Sequence, residues 1–164
     1  MDDVAEWLPE FLKRYWDQAV DSLRSEGQDI VTVRTEIWPA HDPKSGGIID
    51  GIVRCKVYES GDQTHTRVTH GDLDKDVEQT FSIDLQSKDG GRAAARRRVH
   101  EAAEVIFRVL ELHRRNPHPD WNEVSEFSIK TVNNYADYQQ RVVNLTLRRY
   151  GVVLPAKVAV VDTP

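Results

Sequence analysis

A single cysteine stands in this chain. Cys55 leaves no second thiol for an intrachain disulfide and too few thiolates for a cysteine-built zinc site. Long apolar runs are missing as well. None reaches the ~20 residues that a membrane-spanning helix needs, and the opening Met1-Asp2-Asp3 has the wrong sign for a secretory leader. The expectation is a soluble chain that is not exported and has no membrane partner. No glycine-rich phosphate loop occurs, and no serine or cysteine sits in a nucleophile turn. No histidine–carboxylate spacing suggests acid–base work either. The expectation is a protein that is not an enzyme, with no catalytic residue, no cofactor and no metal. A net charge of −5 and a pI near 5.7 argue against a surface that grips nucleic acid all over.

What is present is organised around the stretch from Val77 to His113. Val77, Gln79, Phe81, Ile83 and Leu85 alternate with Glu78, Thr80, Ser82 and Asp84, which is the period of a strand with one dry and one wet face. Ser87-Lys-Asp-Gly-Gly91 breaks that period, with Asp89 placed to cap a helix. From Arg92 the period becomes helical. Ala95, Val99, Ala102, Ala103, Ile106, Val109, Leu110 and His113 share one arc, with Arg97, Glu101, Glu104, Arg108, Glu111 and Arg115 opposite.

The remaining elements flank this unit. Residues 3–25 form an amphipathic helix whose apolar arc (Trp7, Leu8, Phe11, Leu12, Tyr15, Trp16, Ala19, Val20, Leu23) covers roughly 200°. So wide an arc means either contact with another protein through residues such as Trp7, Phe11 and Trp16, or a helix sunk deeply in its own core. Strands are expected over 30–38, 51–58, 126–132 and 141–150. Residues 59–76 are polar, with a short strand near 66–69, and form a projecting arm or a loop. Asn116-Pro-His-Pro119 stops the second helix. With 164 residues, this order predicts one α+β domain over 1–150 and a docking tail over 151–164. The domain has an N-terminal helix, an antiparallel or mixed sheet of four to five strands, and one long central helix packed on it.

Few residues suggest chemistry. Asp72-Leu-Asp74-Lys-Asp76 opens like a calcium loop, but Val77 stands where glycine is needed and Ile83 where the closing glutamate belongs. His65 and His70 have no partner pattern. The charged feature that stands out is Arg92, Arg96, Arg97 and Arg98, crowded where the helix dipole disfavours cations by roughly 0.3–1 kcal/mol each. Pairing within the helix accounts for Arg97 with Glu101, Arg108 with Glu104 and Arg115 with Glu111. Arg92, Arg96 and Arg98 are left to acids of another subunit or to phosphates. The first case makes an assembly surface, the second a small nucleic-acid-binding module.

The strand Phe81-Ser-Ile-Asp-Leu-Gln-Ser87, the polar turn, the Arg/Ala-rich helix and the closing Arg141-Val-Val-Asn-Leu-Thr-Leu-Arg-Arg-Tyr150 together resemble the tail terminator (tail completion) proteins of tailed double-stranded-DNA viruses. The likeness covers residues 3–150 as an order of elements and is strongest over 81–110. It implies a non-enzymatic virion protein of the tail or neck, assembled in the host cytoplasm. Copies of the chain would form a ring, six in number, that caps the tail tube and joins it to the head–tail connector. The implied partners are further copies of itself, the major tail tube protein and connector or adaptor proteins. DNA would pass through the lumen without being read. Trp7, Phe11, Trp16, Arg92, Arg96 and Arg98 are the expected contact residues, with Asp72, Asp74 and Asp76 as acidic counterparts. The neighbouring role of a neck or head-completion adaptor shares these features.

Overall fold

The computed structural model describes residues 4–30, 35–39, 52–67, 74–87, 92–121, 124–136 and 139–153. The first helix, α1, runs Val4–Ser25. Its end is set by Gly27, whose φ of 87° is open to glycine and costly to other residues. The Gly27 amide donates to the Arg24 carbonyl at 3.0 Å and the Gln28 amide to Leu23 at 3.1 Å. This 5→2 and 6→1 pair satisfies carbonyls that the last turn would otherwise leave bare. The Arg24 guanidinium then holds the Ile30 carbonyl through two nitrogens, at 3.0 and 3.1 Å.

Five strands follow: β1 (Thr35–Pro39), β2 (Val53–Arg67), β3 (Asp74–Ser87), β4 (Ser125–Tyr135) and β5 (Gln140–Val153). The second helix, α2 (Arg92–Leu112), joins β3 to β4. The sheet order is β1-β2-β3-β5-β4. Only β1 and β2 pair in parallel, and the other three pairings are antiparallel. The fold is α+β with a mixed sheet. It departs from the expected single long helix, because α1 has 22 residues and α2 has 21. The two pack against each other, α1 over β1 and β2 and α2 over β3 and β5.

Register turns the alternation of β3 into a core. Cys55 lies opposite Leu85, Val57 opposite Ile83, Phe81 opposite Leu145 and Ile83 opposite Val143. With Ala95, Val99, Ala102, Ala103, Ile106, Val109 and Leu110 of α2 and Leu8, Leu12, Ala19 and Leu23 of α1, these residues are buried. Burial makes the Cys55 thiol far harder to ionise than a free thiol, so it behaves as an apolar filler.

Two boundaries differ from expectation for a physical reason, and a third falls partly outside the described residues. The arm or loop of 59–76 is largely strand. β2 continues to Arg67 and β3 starts at Asp74, with a register shift between Glu59 and Gln63. Backbone pairing carries this arm, so its side chains have no need to alternate. The strand expected from residue 30 is described only from Thr35, and residues 31–34 lie outside the described residues. The last two strands are longer than their apolar alternation, because β4 and β5 go on pairing through Tyr135 and Gln140.

The helices are joined by polar contacts at the edge of the core. Arg108 grips both oxygens of Glu26 at 2.7 Å and donates to Ser22 Oγ at 2.8 Å. It reaches across to α1 rather than pairing with Glu104 alone. The Arg97–Glu101 pair forms as expected, at 3.1 Å. His113 stacks on Tyr15 at 3.8 Å, and its Nε2 lies 2.9 Å from Gln18 Oε1. Partial burial lowers the His113 pKa below its ordinary 6.5.

Two predictions follow from this packing. Ile106→Ala should cost about 2–5 kcal/mol in urea unfolding as a core truncation, whereas Leu112→Ala, at a side chain 44% exposed, should stay within about 0.5 kcal/mol. The second concerns pH. A depressed folded pKa makes the unfolded chain bind the extra proton first. The stability tied to neutral His113 is therefore complete above pH 6.5 and lost as pH falls through the lowered folded value. The urea midpoint of the parent should drop over that range more than that of His113→Gln, and parallel profiles would show that His113 is not the group responsible.

Candidate functional site

Three regions carry polar or exposed apolar groups that the core does not absorb. The first is an aromatic cluster at the end of the sheet. Trp7 lies 5.0 Å from Phe11, 5.0 Å from His118 and 5.6 Å from Trp121, and stacks on Phe127 at 6.1 Å. The turn after α2 brings His118 and Trp121 together, stacked at 4.6 Å with an interplanar angle of 9°. Arg149 occupies a dry-face position of β5 and is buried. Its guanidinium sits 3.9 Å from the centre of the Trp121 ring, where a desolvated cation gains from the π face. These groups pin the 118–121 turn to the sheet.

The second region is the sheet face away from the helices. Its side chains bond to each other across the strands. Ser82 Oγ donates to Asn144 Oδ1 at 2.6 Å, and Asn144 Nδ2 donates to Thr131 Oγ1 at 2.9 Å. Gln140 and Gln86 both donate to Asp84, at 2.9 and 3.3 Å, and Arg54 donates to Gln86 at 2.6 Å. Glu78 holds Arg148 at 3.1 Å, and the Tyr150 hydroxyl donates to Glu126 at 2.7 Å. Acids and bases alternate here, so the face is polar without being strongly charged.

The third region is the outer edge of β4. Its first residues are already covered. Asn116, held at φ 49°, donates its amide to the Ser125 carbonyl at 2.8 Å, and Phe127 donates to the Arg114 carbonyl at 2.9 Å. From Ile129 onward no described backbone segment pairs with this edge. A cleft of about 320 Å³ opens beside that point, lined by Phe107, Leu110, Glu111, Arg114, Phe127, Ser128 and Ile129. Large exposed apolar side chains recur along this strand. Of the six among the described residues, Val124, Ile129, Val132 and Tyr135 lie on β4 or next to it. Exposed apolar side chains grouped on an open strand edge mark a contact surface.

The residues singled out in the sequence fall elsewhere. Phe11 is 3% exposed and belongs to the core, so it offers no surface to a partner. Trp7 and Trp16 are half-buried against the core, which explains much of the wide arc of α1 by internal packing. Arg96 and Arg98 each engage another group of the chain. The side chain of Arg92 lies outside the described residues, as does Asp72. Asp74 opens β3 opposite Val153, and Asp76 pairs in register with Thr66. The acids stand at the start of β3 and the arginines just past its end, about 40 Å away along the strand. The chain therefore does not bring the two sets together.

Sequence reasoning passed over the β4 edge. Val132 and Tyr135 stand in a strand that is exposed throughout its second half, and a register shift lies between Ile129 and Thr131. The available signal was Ile129, Val132 and Tyr135, spaced three apart and out of step with strand alternation. Among the described residues, no group of three or more His, Cys, Asp or Glu is placed to hold a metal ion, and Asp72 of the calcium-loop positions lies outside them. No family model matches the chain, and no curated protein matches it at a significant level.

Arg149→Ala should lower stability by about 2 kcal/mol or more through loss of the desolvated ring contact and of packing against Trp121. Arg149→Lys should recover only part of that, since an ammonium lacks the flat guanidinium face. Equal stability of all three proteins in urea unfolding would remove Arg149 from the cluster's support.

Proposed function

We propose that this chain is a non-catalytic structural subunit of a tailed virus, a tail terminator whose copies form a ring between the tail tube and the head–tail connector. The observation that carries this reading is the run of exposed apolar side chains Ile129, Val132 and Tyr135 on the open part of β4, among described residues whose large apolar groups mostly belong to the core. A surface of that kind belongs to association between proteins. The element order supports the reading. A leading helix, a strand group, a strand running into an Arg/Ala-rich helix and two closing strands is the order that the resemblance implies. The partners are further copies, the tube protein and the connector, with DNA passing through unread.

Imaging of the assembled particle is the test. Density for this chain at the head–tail junction, repeated by rotational symmetry and expected six times, supports the proposal. A single copy, or a position within the capsid shell, overturns it. Charge reversal at Arg92, Arg96 and Arg98 tests the nucleic-acid reading in the same material. A terminator should keep its DNA affinity low and nearly flat with salt, whereas a DNA-binding module should lose a steep salt dependence.

A further inference from the structure

The open part of the β4 edge begins at Ile129, which also lines the cleft between α2 and β4. The cleft has apolar walls in Phe107, Leu110, Phe127 and Ile129, with Glu111 and Arg114 on its rim. An added strand along Ile129–Tyr135 would gain backbone bonds from the edge and drop alternate side chains into the cleft. Past Val153 the sequence offers a segment of strand-forming composition. Lys157-Val-Ala-Val-Val-Asp162 is β-branched, apolar and bracketed by one base and one acid. Those charges complement the acid and base of the rim.

We infer that residues 157–162 of one copy add as a strand to the β4 edge of a second copy, with Val158 and Val160 seated in the cleft lined by Phe107, Leu110 and Ile129.

Reach decides between the chain's own segment and a neighbour's. Ile129 pairs with Leu145, and Val153 lies eight residues further along β5. That is about 27 Å along the strand, before two strand spacings are crossed to the outer edge. Val158 follows Val153 by five residues and extends at most about 18 Å. A chain therefore cannot lay its own valines along Ile129–Tyr135, whose far end is more distant still. A second copy carries no such restriction. The contact is head-to-tail, because the donor segment and the acceptor edge are different surfaces, and head-to-tail contacts close into rings when the rotation permits. The inference thus deepens the ring reading by naming the joint between copies, and it rests on that reading only for the number of copies.

Cross-linking between copies tests it on the full chain. Alternation puts Ala159 on the side opposite Val158 and Val160, the side that Ser128 shares. Ser128→Cys and Ala159→Cys chains, mixed and treated with a short bis-maleimide, should give linked pairs at least tenfold above either chain alone. Buried Cys55 serves as an unreactive background. Adding Val158→Asp and Val160→Asp to the Ala159→Cys chain should abolish the link. The joint is overturned by a mixture that links no more than the single variants, or by linking that survives the two aspartates. It is equally overturned by a Ser128→Cys/Ala159→Cys chain that links within itself on dilution while the mixture gives nothing. Rings in the particle without linking would remove the joint and keep the terminator reading. Linking without rings would do the reverse.

Discussion

Every layer of this fold depends on β3 having one dry face. Phe81, Ile83 and Leu85 are fully buried, while Ser82 and Asp84 between them bond to polar groups on the opposite face. A slip of one residue in its pairing would exchange the two sets and bury the polar one. Two neighbours hold the register. Cys55 and Val57 of β2 meet Leu85 and Ile83 from one side, and Val143 and Leu145 of β5 meet Ile83 and Phe81 from the other. Both helices then have only one surface on which to pack. Their shared position forces them against each other, and the Arg108–Glu26 contact joins them where they meet.

Much of this was legible in the residues themselves. The alternation of Val77–Leu85 and the arc from Ala95 to Leu110 gave a strand and a helix whose dry faces are buried as expected. What periodicity could not show was anything held by backbone bonds alone. The 59–67 and 74–76 segments are polar on both sides, so nothing in their order distinguishes a paired arm from a loop. Pairing across long sequence separations was equally hidden. The reach of Arg108 to Glu26 crosses 82 residues, so the nearer i,i+4 partner was the natural choice. The arc of α1 left two readings open, and its packing favours the helix sunk in its own core. Trp7 and Phe11 meet His118, Trp121 and Phe127, residues over a hundred positions away whose arrival no local pattern announces. The candidate surface was the least legible part, because an edge is a property of strand order and not of any one strand.

The arginines at the start of α2 stand where the helix dipole disfavours cations. Arg96 and Arg98 each engage another group of the chain, while the side chain of Arg92 lies outside the described residues. The surface with unmet demand lies at the other end of the helix, beside Leu110 and Arg114.

The short segment Arg114–Asn116 has a consequence for solubility. By occupying the first positions of the β4 edge, it shortens the run of backbone donors and acceptors open to solvent. The register shift between Ile129 and Thr131 interrupts what is left. Unlimited side-by-side stacking of sheets requires a long, flat and regular border. Here the border is brief and bent, and Lys130 adds a charge to it. This edge has room for one short added strand and offers a poor template for side-by-side stacking.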